Sequence, residues 1–459
     1  MADPREVRTV ADAKRIVSER NLTHVKVGLF DNDGVMRGKY MSRDKFFSSL
    51  DHGFAFCDVV LGWDCGDELY QDPGVAFTGW HSGYPDTPVR VVPQSCREVP
   101  FEPGMLLFIC EFDGDAAALC PRRLLSRVLD KADAMGFDAR AAFEYEFFLF
   151  DETPHSVREK HYRDLKPLTP GMFGYSMIRN SVHSELHQSL IALGEQMDFP
   201  IEGLHTETGP GVLEAALAVD GAAAAADKAA LFKTFTKVWA ERQGLMATFM
   251  AKWSNKLPGQ SGHIHLSLRD KASGQSAFYD PTQTMNMSAT QRHFIAGQQR
   301  LLPEFLALYA QTINSYARMV PGFWAPTDAT WGCENRTTAL RVIPGVDKSQ
   351  RVEFRLGSAD ANPYIALAAA LGAGLYGIEH ALEPEEMVVG NAYDQSHPPH
   401  LRLPRSLSRA AAALRQSEAA RDLFGADFVA HYAESRDWEE REFRKHVTDW
   451  ELRRYFEII

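Results

Sequence analysis

Four apolar segments of this 459-residue chain each carry two polar residues one position apart: Glu144-Tyr145-Glu146, His205-Thr206-Glu207, His263-Ile264-His265 and Glu353-Phe354-Arg355. In a β-strand, residues i and i+2 point to the same face, so each pair predicts a strand with one polar edge. Alternation of this kind usually marks a sheet face open to water. Here the flanks argue otherwise, because "AAFEYEFFLF" (141–150), "GHIHLSL" (262–268) and "RVEFRLG" (351–357) are otherwise apolar. A carboxylate buried in such a run is costly unless a cation sits beside it. With Glu214, seven residues after Glu207, the chain supplies five carboxylates and two or three imidazoles for one cavity. An oxygen-rich set with an occasional histidine suits Mg²⁺ or Mn²⁺. Mutual repulsion among so many carboxylates calls for two or more ions.

Arginine forms a second concentration. Residues 314–355 hold five, Arg318, Arg336, Arg341, Arg351 and Arg355, against one lysine, Lys348. The planar guanidinium fork recognises phosphate and carboxylate in a bidentate way that an ammonium cannot. Metals that bridge phosphate oxygens, with arginines facing the developing charge, are the apparatus of phosphoryl transfer. The chain has no Walker A sequence and no kinase glycine loop, so the usual nucleotide folds are not indicated.

The formal charge of −12 argues against nucleic acid or an anionic membrane as partner. The charged N-terminus lacks a signal-peptide core, and no apolar run is long enough to span a bilayer. The six cysteines contain no CxxC pair, as in reduced cytosolic proteins. A soluble cytoplasmic protein is therefore expected.

Residues 6–20 read as a helix, 25–41 as a hairpin turning at Asn32-Asp33-Gly34, and 106–112 as an apolar strand. One or two short strands are expected within the Gly/Pro-rich stretch 62–104. A helix with proline at its start and glycine at its end follows at 121–136. The remainder alternates strands with helices at 221–243 and 362–382, and the last fifty residues read as surface helices. The predicted class is α+β. A small β-rich N-terminal domain spans 1–110, and a large domain spans 111–459.

Several spaced motifs resemble the glutamine synthetase family: "FEYEFFLF", "HTETGPGVLEAAL", "ATFMAKW…GQSGHIHLSL", "NSYARMVPG", "WGCENRTTALRV" and "RVEFRLGSADANPY", in order across residues 143–364. The N-terminal "DNDGVMRGKYM" and "GYPDTPVRVVP" are similar to that family's small β-grasp domain. The resemblance implies a catalytic domain built on an antiparallel β-barrel flanked by helices. It implies a ring homo-oligomer, a dodecamer, with active sites between subunits, and two or three Mg²⁺ or Mn²⁺ ions per site.

Carried over motif by motif, Glu146, Glu207 and Glu214 would hold one metal, and Glu144, His263 and Glu353 another. His265, Arg341 and Arg351 would approach ATP. Gly259, Arg318, Arg336 and Arg355 would serve glutamate and phosphate, with Arg336 and Arg355 also catalytic. Tyr175 would line the nitrogen-donor pocket. The reaction implied is ATP-dependent phosphorylation of the glutamate side chain to a γ-glutamyl phosphate, which a nitrogen nucleophile then converts to an amide.

Two departures bear on that nucleophile. Ammonia-using members read V-P-G-Y-E-A-P where this chain reads "VPGFWAP", so Phe323-Trp324 replaces the acid that receives ammonium. Their aspartate-bearing "FDGSS" segment is replaced near residues 56–64, leaving Asp58 or Asp64 as a relic or a substitute. An indole offers ammonium only a cation–π contact of ~0.5–2 kcal/mol, whereas an organic amine gains about 0.8 kcal/mol per buried CH₂. The departure therefore points to a γ-glutamylamide synthetase that uses a primary amine, with Trp324 in the amine pocket and Tyr175 and Asp64 as candidate proton acceptors. The alternatives are a true glutamine synthetase and a γ-glutamylpolyamine or ethanolamide synthetase.

Overall fold

The computed structural model describes residues 3–71 and 77–459. Part of the 62–104 stretch expected to hold short strands thus lies outside the described residues. The N-terminal sheet is built from β1 (His24–Phe30), β2 (Met36–Ser42), β3 (Phe54–Cys57), β4 (Asp86–Val91), β5 (Arg97–Glu98) and β6 (Leu106–Phe112). The hairpin forms as predicted, pairing Phe30 with Met36. Asp31 Oδ1 accepts from the amides of Asp33 and Val35 at 3.0 and 2.8 Å, and Gly34 supplies the positive φ of +78° that the turn needs. The described strands run β2-β1-β6-β4-β3, with β5 beside β6 and β1 parallel to β6. The domain boundary expected at residue 110 therefore falls inside β6, whose pairing carries the first sheet through Phe112.

The second sheet contains β7 (Phe137–Phe150), β8 (Ile201–Thr206), β9 (Val212–Leu217), β10 (Asp220–Gly221), β11 (Met246–Thr248), β12 (Gly262–Asp270), β13 (Trp331–Cys333), β14 (Leu340–Ile343) and β15 (Arg351–Phe354). Its described order is β13-β14-β15-β12-β7-β9-β8, with β10 and β11 on the long β7. Neighbouring strands lie ~4.8 Å apart, so a flat sheet would hold β14 and β8 roughly 24 Å from each other. Yet Arg341 of β14 and Glu207, just beyond β8, line one cavity, which requires the sheet to curl. The curl matches the expected barrel in outline. One ladder departs from the antiparallel pattern, since β13 runs parallel to β14.

Alternation along β7 divides the molecule into its two environments. Phe143, Tyr145 and Phe147 face the alanine-rich helix Ala222–Arg242, where Phe143 and Tyr145 stack at 5.7 Å and Tyr145 meets Phe232 at 5.9 Å. Full burial of each ring contributes roughly 1.5–3 kcal/mol. Glu144, Glu146 and Phe148 are left on the opposite, concave face. Behind the sheet, helices Ala289–Tyr309 and Pro363–Glu379 cross closely. A Cβ on Gly297 would lie 2.1 Å from the Ala373 carbonyl oxygen, so only glycine permits that approach.

The C-terminal helices are not all superficial, as patterning had suggested. Helix Ala426–Arg444 buries Phe428, Val429, Tyr432 and Arg436. Arg436 donates to Asp33 Oδ1 at 2.7 Å and to the Gln311 carbonyl at 2.9 Å, tying the first hairpin to the segment that follows helix Ala289–Tyr309. Asn362 adds a bond to the Asp31 carbonyl at 3.0 Å. A buried arginine clamped by a carboxylate is compatible with charged helix patterning, which a single-helix reading takes for solvent exposure.

Candidate active site

Strand register sets out the polar face in rows. His205 of β8 lies opposite Glu214 of β9, and Glu214 lies opposite Glu146 of β7. In the adjoining rows His263 faces Glu144, and Arg341 and His265 flank Glu353 from either side. Each of the four polar pairs thus sends at least one member into one concavity, a cavity of about 600 Å³ whose lining includes Glu144, Glu146, His205, Glu207, Glu214, His263, Glu353 and Arg355.

Two clusters have the spacing of metal donors. In the first, ligand atoms of His205, Glu207 and Glu214 lie within 4.8 Å of one another; in the second, those of Glu144, His265 and Glu353 do. His263 Nδ1 is also close, 3.3 Å from Glu353 Oε1 and 3.6 Å from Glu144 Oε2. Hydrogen bonding distinguishes the two imidazoles. Arg351 Nε can only donate, and it lies 3.2 Å from His265 Nδ1. His265 therefore carries its proton on Nε2, 3.2 Å from Glu144 Oε1. Arg351, expected at ATP, does not line the cavity; it bonds to His265, which is likewise outside the lining.

The electrostatics fit divalent ions. Burial pushes Glu214 up to about 9, reinforced by repulsion from Glu146, Glu144 and Glu207. Burial also opposes ionisation of Glu353, but His263 and Arg355 outweigh it and hold this carboxyl near 2. Glu144 is likewise desolvated, and hydrogen bonds from His263 and His265 keep it well below the usual carboxylate range. Glu146 Oε2 accepts from the Ser261 amide at 2.7 Å, which fixes its orientation. A concave, oxygen-rich set with one carboxyl forced to stay protonated has the donor chemistry of a magnesium or manganese site.

Arginines close the other side. Arg341 donates to Glu353 Oε2 at 2.8 Å and to Glu334 Oε2 at 3.0 Å. Arg355 donates to Glu353 Oε1, while its buried Nε has no hydrogen-bond partner among the described residues. Arg318 is fully buried, and its fork ends on the carbonyls of Leu356 and Arg355, both at 3.1 Å. The expected substrate arginine thus also braces the backbone that carries Arg355. Gly259 makes this possible, since a Cβ there would sit 2.6 Å from Arg318 Cγ. Arg336 is exposed on the cavity lining.

At the mouth, Phe323 and Trp324 follow the Pro321-Gly322 turn, and both line the cavity. Trp324 is 57% exposed and holds a left-handed φ of +59°. A bulky side chain in that region costs about 1 kcal/mol or more and persists only where the surroundings enforce it. Phe323 lies under the Lys252 ammonium at 4.2 Å. Tyr175, 69% exposed, stacks on His205 at 4.4 Å and 10°. Asp64 does not join this group. It accepts from Trp438 Nε1 at 3.1 Å and from the Gly66 and Glu68 amides at 2.8 and 3.0 Å. Sequence reading missed Phe148 and Ser261 in the lining; Phe148, two residues beyond Glu146, was accessible to the same alternation rule.

Clustered carboxylates and imidazoles opposite buried arginines form the kind of site used in metal-assisted phosphoryl transfer. The chain belongs to the glutamine synthetase family, matching its catalytic domain over residues 118–455. It is 45% identical over 440 residues to type-1 glutamine synthetase 2 of Dictyostelium discoideum, covering 95% of this chain and 84% of that one. It is 36% identical over 459 residues to a glutamate–isopropylamine ligase of a Pseudomonas species, covering 98% and 99%. A solved structure of GmaS with ADP superposes with a TM-score of 0.83 at 26% identity, covering 97% of this chain and 99% of that one.

Proposed function

We propose that this protein is an ATP-dependent ligase that joins the γ-carboxylate of glutamate to an organic primary amine, releasing ADP and phosphate. The observation that carries the amine is the mouth. Phe323 and Trp324 occupy the turn where ammonia-using relatives keep an acid, and they share the cavity with Tyr175. The likeness to an isopropylamine ligase along nearly the whole chain supports the same reading. The 45% identity to a protein named a glutamine synthetase makes ammonia the second reading.

In this reading Glu146, Glu207 and Glu214 hold one divalent ion, and Glu144, His263 and Glu353 another. When bound, such ions neutralise charge on the transferred phosphoryl group. Arg355 and Arg341 face that group, and the Nε2–H of His265 serves as a donor to nucleotide phosphate. Arg318, seated over Gly259, shapes the glutamate pocket, and Arg336 guards its entrance. Trp324 and Tyr175 form apolar walls for the amine tail and exclude water from the acyl phosphate. An alkylamine, with a pKa of roughly 10.4, must lose a proton before it attacks. Asp64, remote from this cavity within one chain, would act only across a subunit contact.

A ring assembly is consistent with the exposed Val447, Trp450, Phe456, Ile458 and Ile459 near the C-terminus, which a second copy would cover. Native mass spectrometry tests that assembly. No described helix is long and apolar enough to cross a membrane.

The deciding experiment follows phosphate release with glutamate, ATP and Mg²⁺ across ammonia, methylamine, isopropylamine, ethanolamine, putrescine and aniline. A small monoamine is expected to give the highest kcat/KM. Ammonia leading by a wide margin would return the protein to the glutamine-forming branch.

A further inference from the structure

We infer that Glu334 is a positioning residue for phosphoryl transfer: from outside the cavity its carboxylate grips one edge of the Arg341 guanidinium and leaves the remaining N–H groups for the transferred phosphoryl group. The inference rests on the ligase reading above, which sets Arg341 against that group, and goes beyond it to a residue that is not part of the cavity lining. Three structural features carry it. Cys333 pairs with Val342 in the parallel ladder of β13 and β14, and the Glu334 amide adds a bond to the Val342 carbonyl at 2.9 Å. Glu334 then takes a left-handed φ of +50°, which a non-glycine residue keeps only where its surroundings enforce it. Its side chain meets Arg341, where Oε2 accepts from Nε at 3.0 Å and also from Nη2.

A guanidinium carries five N–H groups. Glu334 takes two and Glu353 Oε2 takes a third, from Nη1 at 2.8 Å, so two stay unbonded among the described residues, one on each Nη. Two N–H groups suffice for a bidentate contact with phosphoryl oxygens. The Glu353 side chain is buried and that of Glu334 half exposed, so Arg341 is held between an inner and an outer carboxylate. Without the outer one, the attraction of Glu353 is unopposed and draws the guanidinium toward itself. A pair with one half-exposed member adds little to folding, so the tie serves orientation more than stability.

The test uses the full chain with glutamate, ATP, Mg²⁺ and whichever amine gives wild type its highest rate. Glu334→Ala should lower kcat and kcat/KM for ATP about tenfold each and leave KM for ATP within about twofold, because the lost alignment acts in the transition state. Affinity for ADP should likewise hold, while affinity for ADP with aluminium fluoride, which mimics the transferring group, should fall about tenfold. Thermal melts should keep Glu334→Ala near the wild-type Tm. In an Arg341→Lys background, which lacks the fork, Glu334→Ala should cost less than about twofold, read as aluminium fluoride affinity where turnover is too slow. Should Glu334→Ala fail to fold, the isosteric Glu334→Gln takes its place in the same cycle, with an expected loss of about threefold because an uncharged acceptor remains. Wild-type kcat in the Glu334 variant, or an undiminished loss in the Arg341→Lys background, would overturn the inference and leave the ligase reading intact. Wild-type protein that releases no phosphate from ATP and glutamate with any amine or with ammonia would overturn both.

Discussion

Glu214→Gln gives the most direct test of the site's electrostatics. Glu214 is largely buried among Glu146, Glu144 and Glu207, and burial plus that repulsion push its pKa from an ordinary 4.5 up to about 9. A carboxyl whose folded pKa is raised stabilises the fold fully below the unfolded value of ~4.5. That contribution is lost as pH rises toward 9, because the folded state then binds more protons than the unfolded chain. At pH 8 the interval is ~3.5 pH units, which at about 1.4 kcal/mol each sets a ceiling of ~5 kcal/mol on the destabilisation of metal-free protein. A neutral isostere removes that cost. In EDTA at pH 8, Glu214→Gln should melt several degrees above wild type, and the gap should close toward pH 5. Saturating Mg²⁺ or Mn²⁺ should raise wild-type Tm more at pH 8 than at pH 6 and reverse the order of the two proteins. The measurement is a thermal melt by differential scanning fluorimetry across pH 5–9, with and without metal. A metal-free Glu214→Gln less stable than wild type at pH 8, or a gap independent of pH, would refute the account of crowded carboxylates awaiting a cation.

Three further outcomes are expected. Trp324→Ala should lower kcat/KM for isopropylamine about tenfold, since one indole wall covers roughly half of three carbons worth ~0.8 kcal/mol each, and should leave ammonia nearly unchanged; equal losses across the amine panel would assign Trp324 to packing alone. Gly259→Ala places a Cβ 2.6 Å from Arg318 Cγ and 2.7 Å from the Ala251 carbonyl oxygen, so KM for glutamate should rise more than KM for ATP in initial-rate assays. His431 is held down at about 4 by burial and the nearby Arg436, against an unfolded value of 6.5. It should therefore remove up to ~3.5 kcal/mol of stability as pH falls from 6.5 to 4, a loss that His431→Phe should lessen in urea titrations at those two pH values.

Much of the site was legible before any coordinates. A strand's period of two is a local property, so Glu144-x-Glu146, His263-x-His265 and Glu353-x-Arg355 declared one polar face each, and their apolar flanks declared that face enclosed. The hairpin turn at Gly34 and the alanine-rich helix were readable for the same reason, since backbone preference and propensity act within a few residues.

What the sequence could not specify depends on register and on distant partners. Pairing of His205 with Glu214, and of Arg341 and His265 with Glu353, is set by how strands far apart in the chain align; a slip of one residue would turn either set to the opposite face. The donor role of His265 follows from Arg351, 86 residues away, which no spacing rule connects to it. Arg318 reads in sequence as a glutamate-site arginine and also braces Arg355 through its carbonyl, because burial compels a guanidinium to satisfy its donors on whatever acceptors the fold supplies. The sequence by itself determined the kinds of group present and the face each occupies, since those follow from local covalent geometry. Only the tertiary structure decided which groups meet, which carboxyl keeps its proton and which ring walls the amine mouth, because those depend on distances of a few ångströms between segments a hundred residues apart.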